Sequence, residues 1–458
     1  MINKNKLDMK KATAFLKVVI LMLTVIACES VYREVDTEIP DDALYVATPR
    51  PYEPVTTQGV EPAPVPDQIQ EPVPDQTVEP ESEPEPEPMI YTARLAIVGD
   101  LMVHEPQVNH ALNREDRTYC FISSFTLIKP YLYEADYTIG NLETTFAGQG
   151  TRNHINPETG WTLFSAPDSF ATALKEAGFD LVTTANNHSN DFREFGILRT
   201  IEILESIGLE YTGTNASKED QDSLFIKDIN NIRFAFLSYA TGLNDVPLTA
   251  GKPFLVNRLS DNLMKQQIEQ ARQEGAEIII VFPHMGVEFT GTPAERHVTI
   301  AHNILKFGAD VVMASHPHVL QPTEIVEIED EDGTIRTCFI AYSMGDFISS
   351  RDQWPRDAGA IFYLEFEKVV VEDSSVVRLS HVSFAPTWVQ LKNADNETLI
   401  RVLPVNDTLM AIDNGSEVSI SAEGVTRLLR VHKHVTTKLL GEEPIIMQPI
   451  YTLFCKME

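Results

Sequence analysis

Positive charge and cysteine are both scarce in this chain of 458 residues. Only 36 lysines and arginines oppose 67 acidic side chains, a formal net charge of −31. So acidic a chain argues against a nucleic-acid partner, because phosphate backbones need a basic face. Four cysteines are too few for a disulfide scaffold at this length. No glycine-rich phosphate loop or dinucleotide fingerprint occurs, and no repeat of solenoid period. No apolar run reaches the roughly 20 residues that span a bilayer comfortably. The 43% hydrophobic share is ordinary for a globular protein, and the length allows two or three domains.

The N-terminus carries Lys4, Lys6, Lys10, Lys11 and Lys17, then an apolar run from Val18 to Ala27. A basic stretch before a short apolar one is the layout of a secretory signal. It ends Val25-Ile26-Ala27-Cys28, which resembles a bacterial lipobox, so residues 1–28 are expected to be a lipoprotein signal with Cys28 lipidated. That places the rest of the chain outside the cytoplasm, anchored to the bacterial cell membrane. Residues 29–91 hold 13 of the 28 prolines and 16 acidic residues against Arg33 and Arg50. Such a segment buries too little apolar surface to offset ordering, and reads as a disordered linker.

From about residue 92 the pattern turns to strand, loop and helix in alternation. Arg94 to Val98, Asp136 to Ile139, Asp180 to Thr184, Ile232 to Ser238, Glu277 to Phe282 and Asp310 to Ala314 read as strands. Ser169 to Ala177, Phe192 to Ile207, a stretch from Ser260 to Arg272 and one opened by Pro293 read as helices. This points to an α/β fold with buried, largely parallel central strands. Beyond Pro322, Glu331-Asp332-Gly333 signals a hairpin, and Ala360 to Val371 and Val376 to Trp388 read as strands of a second, more antiparallel sheet. The folded domain is expected over 92–395, with 396–458 a C-terminal extension of undefined structure.

In open α/β sheets, ligands bind beyond the C-terminal strand ends. Here those ends carry Asp100 and His104, then Asn141 and Glu143, then Asn186-Asn187-His188 and Asp191. Further on come His284-Met285-Gly286-Val287-Glu288 and Ser315-His316-Pro317-His318. A single histidine at a strand end is commonly structural. Five at four equivalent ends, joined by carboxylates and amides without thiolate, suit manganese, iron or zinc. The set is large enough for two ions clamping an oxyanion.

These motifs, with Ser343-Met344-Gly345-Asp346-Phe347 following in order, resemble the bacterial capsule synthesis protein CapA family over roughly residues 92–350. That family is linked to poly-γ-glutamate capsule production. The resemblance implies a layered metallophosphatase-like sandwich of two mixed β-sheets flanked by helices. It also implies up to two divalent ions, held by Asp100, His104, Glu143, Asn187, His284, His316 and His318. His188 would donate a proton to a leaving group, and Glu288 would support the catalytic site. Metallophosphatases carry an aspartate where this chain has Asn141, so a carboxylate bridge falls to Glu143. Met285 and Asp346 stand where the family commonly has tryptophan and asparagine. Trp161 and Phe164, in a polar loop, read equally as a cover for the site or as core anchors.

Three functions fit this reading. One is a metal-dependent phosphoester hydrolase acting on a cell-surface polymer or its phosphorylated precursor. The second is a non-catalytic polymer assembly or export factor, working with other capsule-synthesis proteins. The third is a metal- or glycan-binding lipoprotein.

Overall fold

The computed structural model describes residues 87–148, 153–330, 332–416 and 418–456. The signal segment with Cys28, nearly all of the 29–91 linker and Glu331 of the hairpin signal lie outside the described residues. Among the described residues seventeen strands occur in chain order: β1 Met89–Leu101, β2 Tyr137–Leu142, β3 His154–Ile155, β4 Thr162–Leu163, β5 Leu181–Thr183 and β6 Glu210–Thr212. Next come β7 Ile226–Ile229, β8 Ile232–Ala240, β9 Ile278–His284, β10 Val311–Met313, β11 Thr323–Glu329 and β12 Ile335–Ala341. The last are β13 Asp346–Ile348, β14 Ala358–Val371, β15 Ser374–Lys392, β16 Thr398–Pro404 and β17 Tyr451–Cys455. β1 thus begins ahead of the boundary expected at residue 92.

Two mixed sheets carry the fold. The first runs β16-β15-β14-β1-β2-β5-β6, with β13 paired to β1 and β17 to β15. The second runs β11-β12-β10-β9-β8-β7. Central neighbours are parallel in both, β1-β2-β5-β6 in one and β8-β9-β10-β12 in the other. The strands beyond Pro322 do not form a sheet of their own, which corrects the sequence reading. The hairpin β11-β12 joins the second sheet, while β14 and β15 extend the first. Residues after 395 likewise build into the first sheet, through β16 and β17 on β15.

Period-two alternation explains the layering, because successive side chains leave opposite faces of a strand. Leu95 and Ile97 of β1 meet Phe234, Phe236, Ile278 and Ile280 in a core between the sheets. Ala96 and Val98 point the other way, into a cluster with Phe170 and Leu174 of the helix Ser169–Ala177. On the second sheet, Ala235, Leu237, Ile279 and Val281 pack outward against the helices Asp261–Gln273 and Glu295–Lys306. Strands apolar on both faces are thus covered on both faces, as α/β architecture requires. The helix ends follow their sequence signals: Ser260 caps Leu263 N–H, and Gly178, at φ +107°, terminates Ser169–Ala177. Among the described residues no helix is long and apolar enough to cross a membrane.

The parallel strands of both sheets run toward the same cluster of polar residues. β1 turns there at Gly99, where an added Cβ would sit 1.9 Å from the Gly345 carbonyl oxygen. The close approach lets Asp100 N–H donate to that oxygen at 3.0 Å and sets Asp100 beside Asp346 in parallel register. Gly99→Ala is expected to lower unfolding free energy by about 3 kcal/mol, as overpacking does. Urea titration of the variant against wild type measures it.

Candidate metal centre

The candidate site is assembled from the C-terminal ends of β1, β2 and β5 in one sheet and β9 and β10 in the other. Asp100, Glu143 and Asp346 are each fully buried there. One guanidinium, Arg351, faces them, its Nη1 3.1 Å from Asp346 Oδ2. Three carboxylates against one arginine leave a deficit of positive charge, in an interior where unpaired charge is costly.

The chain's own answer is His318. Its Nδ1 lies 3.0 Å from Asp100 Oδ2 and 2.9 Å from Asp346 Oδ1, and its Nε2 is 3.7 Å from Glu143 Oε1. Burial works against a charge on this imidazole, yet Glu143 and Asp346 outweigh burial and hold its pKa well above the usual histidine value. Burial also disfavours ionised Asp346, but Arg351 and His318 bring it down to about 2.

Glu143 has less help: His318 and Arg351 favour its ionised form only through space, without a hydrogen bond. Both carboxylate oxygens are buried without a hydrogen-bond partner. Around Oε1 stand three imidazoles, with Nε2 of His284 and His318 at 3.7 Å and Nε2 of His188 at 4.0 Å. Burial, and then the charge of Asp100, push its pKa well above the ordinary carboxylate range. A carboxylate without donors, ringed by imidazole nitrogens, is a poor site for a proton-free anion and a good one for a cation. Among the described residues two groups have ligand atoms mutually within 4.8 Å: Glu143, His284 and His316, and Asp100, His318 and Asp346. The residues therefore fit divalent metal, with Glu143 between the two groups.

Amides and hydroxyls orient this set. Asn141 Nδ2 donates to Asp100 Oδ1 at 2.8 Å, and its Oδ1 accepts from Thr183 Oγ1 at 3.1 Å. Asn141 therefore braces a carboxylate. His284 has Ser315 Oγ 2.9 Å from Nδ1 and Asn187 Oδ1 2.8 Å from Nε2, tying the two sheets together. Burial and the neighbouring imidazoles keep His284 neutral, its pKa well below the usual value. The same causes bring His316 down to about 4, so both are available as lone-pair donors at neutral pH. The backbone is left-handed at His316 (φ +105°) and His318 (φ +57°), conformations uncommon outside glycine that concentrate at functional sites.

His188 stands slightly apart. Its Nδ1 is 2.8 Å from Asp191 Oδ2, which also accepts Phe164 N–H at 2.6 Å. Phe164 packs edge-on to His188 at 4.6 Å between ring centroids. The buried Phe164 is thus part of the site wall, whereas Trp161 is 42% exposed.

Of the residues singled out from sequence, the fold gathers Asp100, Glu143, Asn187, His188, His284, His316 and His318. Two expectations need correcting. His104 joins neither ligand group; its Nδ1 lies 3.3 Å from Gln107 Oε1 and accepts Ser350 N–H at 3.3 Å, at the start of the helix Glu105–Ala111. Burial, with Arg351 nearby, lowers its pKa to about 3. Glu288 is half-buried outside both groups, and its charge acts on Arg356. Sequence reasoning placed Asp346 beside the site as a candidate substrate contact but not as a ligand, and assigned no role to Arg351 or Asp191. Asp346 opens β13 directly after a glycine, a strand-edge signal like that of Asp100.

Glu143 also sets a pH dependence. Its raised folded-state pKa means that metal-free protein binds more protons than the unfolded chain above the ordinary value of 4.5. Its contribution to stability is therefore present below 4.5 and lost as pH rises through the folded pKa. Glu143→Gln is expected to melt higher than wild type at pH 8 without metal, and to lose the stabilisation that manganese brings. Thermal melts at several pH values, with and without manganese, measure both effects.

Residues 94–351 match the model of a family described as bacterial capsule synthesis protein PGA_cap. Both ligand groups fall inside that range. The capsule biosynthesis protein CapA of Bacillus anthracis is 28% identical over 265 residues, 57% of this chain and 61% of that protein. The PGA biosynthesis protein CapA of Bacillus subtilis (strain 168) is 26% identical over 290 residues, 61% of this chain and 71% of that one. The matched part thus spans less than two thirds of the Bacillus anthracis relative. Similar solved structures include the NAD nucleotidase of Haemophilus influenzae, at 12% identity and TM-score 0.39, covering 77% of this chain and 64% of that one. Another is the calcineurin-like phosphoesterase YfkN of Bacillus subtilis, at 13% identity and TM-score 0.35, covering 64% and 91%. With more than half of its length matched, and the whole ligand cluster within the match, the chain belongs to the bacterial capsule synthesis protein family PGA_cap.

Proposed function

We propose that this chain is a divalent-metal-dependent phosphoester hydrolase acting in the biosynthesis of poly-γ-glutamate or a related cell-surface polymer. Glu143 carries the reading: a fully buried carboxylate, without donors, among three imidazoles. The names of the capsule relatives support the polymer. The signal-like N-terminus supports an extracytoplasmic protein anchored through Cys28. Manganese, iron and zinc all suit the donor set.

Glu143, His284 and His316, with Asn187 beside them, would hold one ion; Asp100, His318 and Asp346 would hold the other. When bound, such ions polarise an ester oxygen and lower the pKa of a water molecule. The protein residues supply the rest. His188 directs Nε2 toward the cluster while Asp191 holds Nδ1, the arrangement that orients the ring and fixes its tautomer. It is the proton donor to the leaving oxygen. The Phe164 ring closes the wall behind it and limits water on that side. Arg351 keeps Asp346 ionised and so available as a ligand.

The purified chain is expected to hold about two transition-metal ions by elemental mass spectrometry and to hydrolyse bis-p-nitrophenyl phosphate. His188→Ala should keep its metal and lose about 10²- to 10⁴-fold in kcat. An empty wild-type site after manganese or zinc incubation, or an unchanged rate in His188→Ala, points instead to a polymer assembly role.

A further inference from the structure

Arginine and lysine are rare in this chain, and where they lack acidic partners is informative. Several cations of the later chain are paired: Arg351 with Asp346, Arg427 with Asp357 and Lys433 with Glu443. Arg356, Arg430 and Lys438 have no carboxylate within salt-bridge distance among the described residues. All three lie beyond residue 351, where the family match ends.

Aromatic rings and one backbone carbonyl hold these cations in place. Phe289, in left-handed backbone at φ +63°, is fixed by its N–H bond to Pro317 O at 2.8 Å. Its ring stacks on His318 at 5.7 Å between centroids. The Arg356 guanidinium lies over the Phe289 ring, 3.4 Å from its centroid, and donates to Gln353. Arg356 is therefore one aromatic ring away from a metal-ligand imidazole. Trp354, two residues earlier, carries Arg430 over its face at 3.9 Å. Lys438 donates to Gly291 O at 2.9 Å, two residues beyond Phe289.

The helix Ala422–Leu440 ties the patch together. Leu428, Val431, Val435 and Leu439 seat it in the core between the sheets. Arg427, Arg430, His434 and Lys438 recur at i, i+3, i+7 and i+11, so they form one stripe beside the apolar face. The stripe runs past Trp354 toward the loop that holds Phe289. A guanidinium stacked on an aromatic face stays charged and keeps its outer N–H groups free for an oxyanion.

The structure assigns to Arg356, Arg430 and Lys438 an anion-binding track that leads to the metal centre and positions a chain of repeated acidic groups, carboxylate or phosphate. In a chain of net charge −31, such a chain would otherwise be repelled; Arg430, Lys438 and Arg356, the last offset by Asp346, Glu288 and Asp352 only from beyond salt-bridge distance, supply local attraction along one path. The point that the track feeds a reaction rests on the hydrolase reading; the track itself does not.

Calorimetric titration of the manganese-treated full chain at low ionic strength tests it, with a γ-linked glutamate oligomer and inorganic tripolyphosphate as the two probes. Arg430→Gln combined with Lys438→Gln is expected to weaken at least one probe about tenfold, and Arg356→Gln to do likewise. Arg430→Lys should restore most of the affinity, and added salt should erase the difference between wild type and variant. Loss for the glutamate oligomer alone identifies a carboxylate chain; loss for tripolyphosphate alone identifies a phosphate chain. Equal affinities of wild type and the double variant for both probes, with unchanged melting temperature and metal content, overturn the track. A wild type that holds metal and hydrolyses bis-p-nitrophenyl phosphate in that case keeps the hydrolase reading. A wild type without metal that still loses anion affinity on substitution keeps the track and removes the hydrolase.

Discussion

Everything around the site depends on the burial of Glu143 without a hydrogen-bond donor. In water a carboxylate oxygen is solvated by several donors; here both oxygens have none. The cost of such a group is large unless a proton or a cation compensates it. The buried cations act on Glu143 only through space and place their hydrogen bonds elsewhere. Arg351 serves Asp346, and His318 divides its Nδ1 between Asp100 and Asp346. The remaining neighbours of Glu143, His284 and His188, present nitrogens at distances too long for a hydrogen bond. That geometry is a liability for folding and an asset for metal binding, as expected where stability is given up at a functional site.

The sandwich exists in a form that makes this burial achievable. Each sheet alone offers half of the ligands at its strand ends, and only the apolar seam of Leu95, Ile97, Phe234, Phe236, Ile278 and Ile280 brings the halves together. Fully burying one such side chain is worth roughly 1.5–3 kcal/mol, so the seam outweighs the local strain of left-handed His316 and His318. The contact between His284 and Asn187 crosses from one sheet to the other, so the site also reports whether the sheets are docked. Chemistry and packing are thereby coupled through a few polar atoms.

Much of the site is legible in the sequence because its residues follow short apolar runs that end in glycine, asparagine or histidine. Asp100, Glu143, Asn187, His188, His284, His316 and His318 all carry that local signal. His104 carried it as well, but it lies past the strand end at the start of a short helix, where Gln107 and Ser350 occupy Nδ1. Asp346 was passed over as a ligand because its proximity to Asp100 arises from β13 pairing with β1 across some 245 residues of sequence, a register no local pattern encodes. Asp191 was noticed only as a neighbour of His188. Its role depends on the turn that brings it back to the ring.

The sequence by itself determined the alternation of strands and helices, the polar strand ends and the absence of thiolate ligands. These depend on neighbours a few residues apart and so on hydrophobic period, turn residues and composition. Only the tertiary structure decided which sheet each late strand joins, that residues after 395 complete the first sheet, and that Glu143 is left without donors. It also decided that Arg356, Arg430 and Lys438 fall on one path beside Phe289 and Trp354. The reason is physical: desolvation and Coulomb energies depend on distances through space, and those are set by docking two sheets and one late helix around a shared apolar core.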